Sequence, residues 1–166
     1  MEEYKFKNKK LEKFMDKKII EIFMNEPKFD SMKDKKQRLK RRSKKALKKK
    51  LWKVFSIYIR KKDDGQCYTC SSKKPWKSQD AGHYIPTSIC GEYLWFNDLN
   101  VHCQCTSCNR FKHGNLSVYA EHLTTEYGDT IIKKLGQIKK EHRTMPYSDM
   151  LKLYEKYKHQ ATTGSV

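Results

Sequence analysis

Two Cys-x-x-Cys pairs, Cys67/Cys70 and Cys105/Cys108, are the residues of this chain whose types and spacing speak first of chemistry. A thiolate pair spaced by two residues grips one metal ion from a single turn, and two such pairs close a tetrahedral shell with no position left for substrate. The ion expected is therefore a structural Zn²⁺. Disulfides are the alternative, but Met1-Glu2-Glu3 opens an acidic segment with no apolar stretch of the secretory kind. Residues 71 to 104 separate the pairs, a longer gap than the roughly fifteen to twenty residues of a simple zinc ribbon. That interval holds Asp80, His83 and Asn100, and Asn109 follows the second pair at once. These types suit hydrolysis of a phosphodiester. His83 offers a base that is neutral near physiological pH. Asp80 and the amide oxygen of Asn109 offer hard oxygen ligands for a catalytic Mg²⁺ or Mn²⁺. Asn100 is expected to orient the His83 loop through backbone hydrogen bonds.

The elements that must position them are short. The run Gln79 to Pro86 has a β-leaning centre, Leu94-Trp95-Phe96 is expected to supply the second strand of a hairpin, and Cys105 to Lys112 to open a helix. Strand, strand and helix around one divalent ion make a ββα-metal (HNH-like) finger, whose His, Asn and Asn marks fall on His83, Asn100 and Asn109. Strand alternation turns residues 80 and 82 away from His83, so Asp80 reaches the same metal only if the backbone kinks at Ala81-Gly82. Taken singly, a His is an ordinary surface or core residue and an Asn after a knuckle is a turn cap; the shared frame is what makes them a candidate site. His102, between Asn100 and the second knuckle, is placed to pack beside the zinc or touch a phosphate, and His113 follows the expected helix, in Lys112-His113-Gly114-Asn115. Cys90 and Cys103 fall outside the knuckle pairing and read as buried free thiols.

Composition agrees. The chain has 166 residues, 37% apolar content and a net charge of +18. So modest a core gains from a metal brace. Residues 33 to 62 hold sixteen Lys or Arg against Asp34 alone, enough to neutralise many phosphates. Leu47, Leu51, Val54, Phe55 and Tyr58 recur through the same stretch at helical spacing, which makes the positive residues the solvent side of an amphipathic helix. Lys40, Arg41, Arg42, Lys44, Lys45, Lys48 and Lys49, with Arg110, Lys112 and His113 beyond the second knuckle, are the candidate nucleic-acid contacts. Further helices are expected at residues 2 to 25, from Leu116 to Tyr127 with Gly128 as the stop, from Thr130 to Lys140 with Gly136 as an interruption, and after Pro146, with a frayed tail from Gln160. No transmembrane run or internal repeat is visible. The fold class expected is α+β, divided into a basic helical arm (1–45), a zinc-braced nuclease domain (46–136) and a C-terminal helix with its tail (137–166).

Three strings carry a family resemblance: Asp80-Ala81-Gly82-His83-Tyr84; Leu94 to Asn109, with its Leu99-Asn100, His102, Gln104-Cys105 and Cys108-Asn109; and Gly114 to Tyr119, which opens Gly-Asn-Leu. Over about residues 50 to 136 the chain resembles the NinG (Rap) recombination proteins of lambdoid phages. The order of Cys pair, Asp and His, Cys pair and Asn is also similar to phage endonuclease VII, in which acid and base are adjacent. The resemblance implies a structure-specific endonuclease that cleaves branched recombination intermediates such as Holliday junctions, acting in the cytoplasm of a bacterial host. Two opposed cuts would call for two active sites, hence a homodimer. The alternatives are a noncatalytic zinc-stabilised nucleic-acid-binding module and an HNH nuclease that reads sequence. Ser71 stands where many knuckles carry Gly.

Overall fold

The computed structural model describes residues 32–141 and 144–163. The helix expected at residues 2 to 25 lies outside them. The chain divides into two compact units, Met1–Arg42 and Ser43–Val166. In the first, the described residues are the opening turns of helix α1, Met32–Lys62. They are rich in Lys and Arg, which are good helix formers, and Asp34 complements the helix dipole at that end.

From Leu47 onward α1 turns amphipathic. Leu47, Leu51, Phe55 and Ile59 recur every fourth residue and are buried. They form one core with Phe96, Val101, Met145, Met150 and Tyr157. Phe55 is its centre, edge-on to both Phe96 and Tyr157 at centroid separations of 5.9 and 4.8 Å. Each such side chain contributes about 1.5–3 kcal/mol by burial. Arg60, in the last turn, donates from Nη1 to the carbonyls of Trp76 and Gln79, tying the helix end to the chain that enters the sheet.

The sheet is one antiparallel pair. Strand β1, Asp80–His83, lies against β2, Val101–Gln104, with Asp80 opposite Gln104 and His83 opposite Val101. The second strand was expected at Leu94 to Phe96; instead Gly91–Trp95 form a short helix, α2. The reason lies in what each segment buries. Leu94 enters a second core while Tyr93 and Trp95 border the first. All four residues of β2 are buried, two of them polar, so neither an apolar run nor an alternation advertises the strand. Between them Asn97 accepts from the Leu99 N–H through Oδ1 and from the Asn100 N–H through its carbonyl, an Asx turn that delivers the chain into β2.

Beyond β2 the helix expected from Cys105 is a π-helical turn, Ser107–Phe111. Helix α3, Leu116–Tyr127, follows and stops at Gly128, whose φ of +86° favours glycine. Helix α4, Ile131–Glu141, passes through Gly136 without a break. Helix α5, Tyr147–Thr163, begins directly after Pro146 and runs past Gln160, where a frayed tail was expected. Tyr119 and Leu123 of α3 join Ile131 and Leu135 of α4 around Leu94 and Cys90 in the second core. Cys90 and Cys103 are both buried, unpaired thiols. The architecture is thus mixed and helix-rich, with one small sheet. No helix among the described residues is long and apolar enough to cross a membrane.

Candidate metal centre and hairpin site

Four sulfurs converge. Those of Cys67, Cys70, Cys105 and Cys108 all lie within 4.8 Å of one another, and Cys70 and Cys105 are 3.7 Å apart. A tetrahedron with metal–sulfur bonds of about 2.3 Å has edges of about 3.8 Å, so the set fits an ion such as zinc. The first pair sits on a tight hairpin, in which Cys67 N–H donates to Ser72 O and Ser71 N–H to Cys67 O, both at 2.9 Å. The turn needs a left-handed residue, and Ser71 adopts it at φ +56°. The second pair follows β2, with the Cys108 N–H directed at the Cys105 sulfur, 3.4 Å away. Hydrogen bonds from Ser72 bring the Cys70 thiol down to about 6, whereas burial drives Cys108 up to about 12. Cys70 stands at the exposed lip of the set.

The same knuckle sets Asn109 and Arg110 against β1. Asp80 accepts from Asn109 Nδ2 at 3.1 Å and from Arg110 twice, Nε to Oδ2 at 2.9 Å and Nη2 to Oδ1 at 3.0 Å. Burial pushes the Asp80 carboxyl up. The Arg110 and Asn109 hydrogen bonds, with the charges of Arg110 and Arg60, outweigh it and hold the group below the ordinary carboxylate range. Gly82 shares this face. A Cβ there would stand 2.0 Å from Gln104 Oε1 and 3.0 Å from Asn109 Oδ1. Gln104 cannot easily yield, because its Nε2 donates to Thr69 Oγ1 and to Gly114 O. Its Oε1 is buried and has no hydrogen-bond partner among the described residues. Asp80, Asn109 Oδ1 and this orphaned oxygen are the hard oxygen donors Mg²⁺ or Mn²⁺ prefers, and the set fits such an ion once Arg110 releases the carboxylate and the Asn109 amide, whose Nδ2 now faces Asp80, turns over. Arg110 is 65% exposed and can swing away.

His83 is held on the other side. Residues 80–83 pair with β2 in unbroken register, without the kink that would turn Asp80 toward it. The His83 ring stacks on Trp52 of α1 at 5.2 Å, and Nε2 lies 3.1 Å from the Trp95 carbonyl. A carbonyl only accepts, so Nε2 carries the proton and Nδ1 is the free lone pair. Burial lowers the imidazole pKa to about 4, offset in part by the Trp95 bond. Asn100 fixes the loop behind it. Fully buried, it accepts from the Ile85 N–H through Oδ1 at 2.8 Å and donates Nδ2 to the carbonyls of Ile85 and Leu94. The structure thus brings Asp80 and Asn109 together and holds His83 and Asn100 as a second group across the ribbon.

The remaining candidates scatter. His102 is buried against the Tyr68 ring at 3.9 Å and bonds Tyr119 through Nδ1. His113 is exposed in a turn where His113, Gly114 and Asn115 all have positive φ, of 50°, 87° and 49°. Lys44 and Lys48 both reach Glu92, and Lys48 also lies 3.8 Å over the Trp95 ring, so these two brace α2. Lys45, Lys49, Arg110 and Lys112 are exposed, as are Lys40, Arg41 and Arg42 in the other unit. The sequence reading overlooked Gln104 and Gly82, which only the strand register reveals. It also overlooked Trp76, ringed by Arg60, Lys61 and Lys77 at 5.4 to 5.7 Å; a Trp flanked by Lys residues was the available signal.

The family model of the bacteriophage lambda NinG protein matches residues 2–163, almost the whole chain. The chain belongs to the NinG family. It is 33% identical over 93 residues to protein ninG of Escherichia phage lambda, 33% to that of Salmonella phage P22 and 32% to that of Escherichia phage 933W. These alignments take in 54% of this chain and 44% of each NinG relative, so the chain spans less than half the length of the relatives it matches. No solved structure matches it.

Proposed function

We propose that this NinG chain is a metal-dependent endonuclease of the HNH (ββα-metal) type that cleaves branched DNA such as Holliday junctions in the host cytoplasm. The observation that carries the reading is the ribbon itself: Asp80 with Asn109 on one face, His83 with a defined free nitrogen on the other. In-line hydrolysis places the attacking water and the leaving 3′ oxygen on opposite sides of phosphorus. A phosphate seated across the end of β1 would meet those two demands from the two faces. A divalent cation held by Asp80 and Asn109 would supply charge stabilisation to the leaving oxygen when bound. His83 Nδ1 takes the proton of the attacking water, the Trp95 carbonyl holding the ring in the tautomer that leaves Nδ1 bare. Asn100 positions that ring through the Ile85 loop. Arg110, released from Asp80, pairs with a phosphate oxygen, and Lys45, Lys49, Lys112 and His113 neutralise flanking phosphates without selecting sequence; Lys40, Arg41 and Arg42 of the first unit are further nucleic-acid contacts. Zinc in the four-cysteine set holds the knuckles that carry Asn109. A homodimer would cut two opposed strands.

The test is cleavage of end-labelled four-way junction, flap and linear duplex DNA in Mg²⁺ or Mn²⁺, wild type beside His83→Ala, with zinc content measured in both. Junction cutting that vanishes in a zinc-loaded His83→Ala protein supports the nuclease. The closed Asp80–Arg110 pair favours a second reading, a noncatalytic zinc-stabilised DNA-binding module; intact binding without cutting in any divalent ion would establish it. Cutting of linear duplex at fixed sequences would instead mark a sequence-reading HNH enzyme.

A further inference from the structure

Phe111 is placed where no packing argument puts it. Its side chain is 79% exposed, while the turn that carries it is closed by backbone hydrogen bonds. Ser107–Phe111 is a π-helical turn, closed by Lys112 N–H to Ser107 O at 2.9 Å and continued by Gly114 N–H to Asn109 O at 3.1 Å. Cys108 within it belongs to the sulfur set, and Asn109 N–H is bonded to Cys105 O. A π turn is costly and recurs where a side chain must be aimed. Its immediate neighbours are Arg110, bonded to Asp80, then Lys112 and His113, both exposed. An exposed ring flanked in the chain by Arg110 and Lys112 is poorly matched to an apolar protein surface. It is well matched to nucleic acid, whose phosphates meet the basic side chains while an uncovered base meets the ring.

We propose that Phe111 is a stacking platform for a base whose face is uncovered at the branch point, and so the residue that distinguishes branched from continuous duplex DNA. In a continuous duplex every base face is covered by its neighbours, leaving the ring no partner. Where a branch interrupts the stack a face is left uncovered, and the ring that would meet it is one residue from Arg110 and two from Asn109 in the chain. The inference rests on the nuclease reading for its setting, though stacking can be read without any cleavage.

The experiment uses the full chain in Ca²⁺, with 2-aminopurine at the branch of a four-way junction or at the matching position of a linear duplex. Wild type should change the probe's fluorescence on the junction and leave the duplex unaltered. Phe111→Ala should abolish that change and lower junction affinity about fivefold or more, with duplex affinity kept. Phe111→Trp should restore both. Zinc content and circular dichroism check that each variant is folded. A Phe111→Ala protein that keeps the signal and the junction preference overturns the proposal, as does one that loses only self-association in sedimentation. Cleavage in Mg²⁺ with a signal independent of Phe111 would sink the platform and spare the nuclease. A Phe111-dependent signal from a protein that cuts nothing would do the reverse.

Discussion

Asn100 grips both backbone polar groups of Ile85, its Oδ1 taking the N–H at 2.8 Å and its Nδ2 reaching the carbonyl at 3.3 Å. A third bond, Nδ2 to the Leu94 carbonyl, joins the same side chain to α2. One buried amide therefore ties the end of β1 to the helix whose Trp95 carbonyl holds His83. Asn100→Ala would strand at least two buried backbone groups at about 1–3 kcal/mol each. The expected outcome is a lower melting temperature together with loss of cleavage, and Asn100→Asp, which keeps the acceptor but buries a charge, should rescue neither. Thermal unfolding of zinc-loaded protein checks it.

Gly82 is bounded by a side chain with nowhere to go. Its absent Cβ would overlap Gln104 Oε1, and Gln104 is pinned by Thr69 and Gly114. Gly82→Ala should destabilise by about 1–3 kcal/mol through overpacking. The double variant with Gln104→Ser should recover part of that loss, giving a coupling energy of opposite sign to the two single effects. A double-mutant cycle in urea would show it, and additive effects would mean that the overlap is relieved elsewhere.

Zinc should be present at one ion per chain. Replacing Cys67, Cys70, Cys105 or Cys108 by Ser should lose it, while Cys90→Ala and Cys103→Ala should keep it. Burial raises the Cys103 thiol to about 12, so it is a poor thiolate at neutral pH. Metal release to a colorimetric chelator, titrated per chain, decides the assignment. Since the knuckles carry Asn109 and Arg110, a chelated sample should also lose the proposed Asp80-dependent cleavage.

The two buried imidazoles make stability fall in acid. Burial lowers His83 to about 4 and His102 to about 3, both below the value near 6.5 of an unfolded chain. Between those limits the unfolded chain binds more protons, so stability rises with pH. The contribution is complete above pH 6.5 and is lost as pH falls toward 4 for His83 and toward 3 for His102. His83→Asn should flatten the upper part of that slope in chemical denaturation at pH 7, 6 and 5. NMR titration should find the His83 ring still neutral at pH 5.5.

Much of this was legible in the sequence, for identifiable reasons. Cysteine spacing depends on local geometry alone, so the four-sulfur set could be read directly. Helix α3 was bounded by Gly128, and α1 was marked by a buried stripe at positions 47, 51, 55 and 59. The second strand was misplaced because its register depends on partners eighteen to twenty-four residues away and its polar members, His102 and Gln104, are buried for the sake of hydrogen bonds rather than hydrophobicity. The separation of His83 from Asp80 followed from period-two alternation. Which face received Asn109 did not, because the π turn that aims it leaves no periodic trace.

One property of the site reaches beyond this chain. His83 is held by the carbonyl of Trp95, Asn100 by those of Ile85 and Leu94, and Gln104 by that of Gly114. Every residue owns a carbonyl, whatever its side chain. The holders can therefore drift through evolution while the held side chains stay put, and two proteins could share this machinery with little else in common. Distant kin of this chain are better sought by the handful of residues that are gripped than by overall likeness.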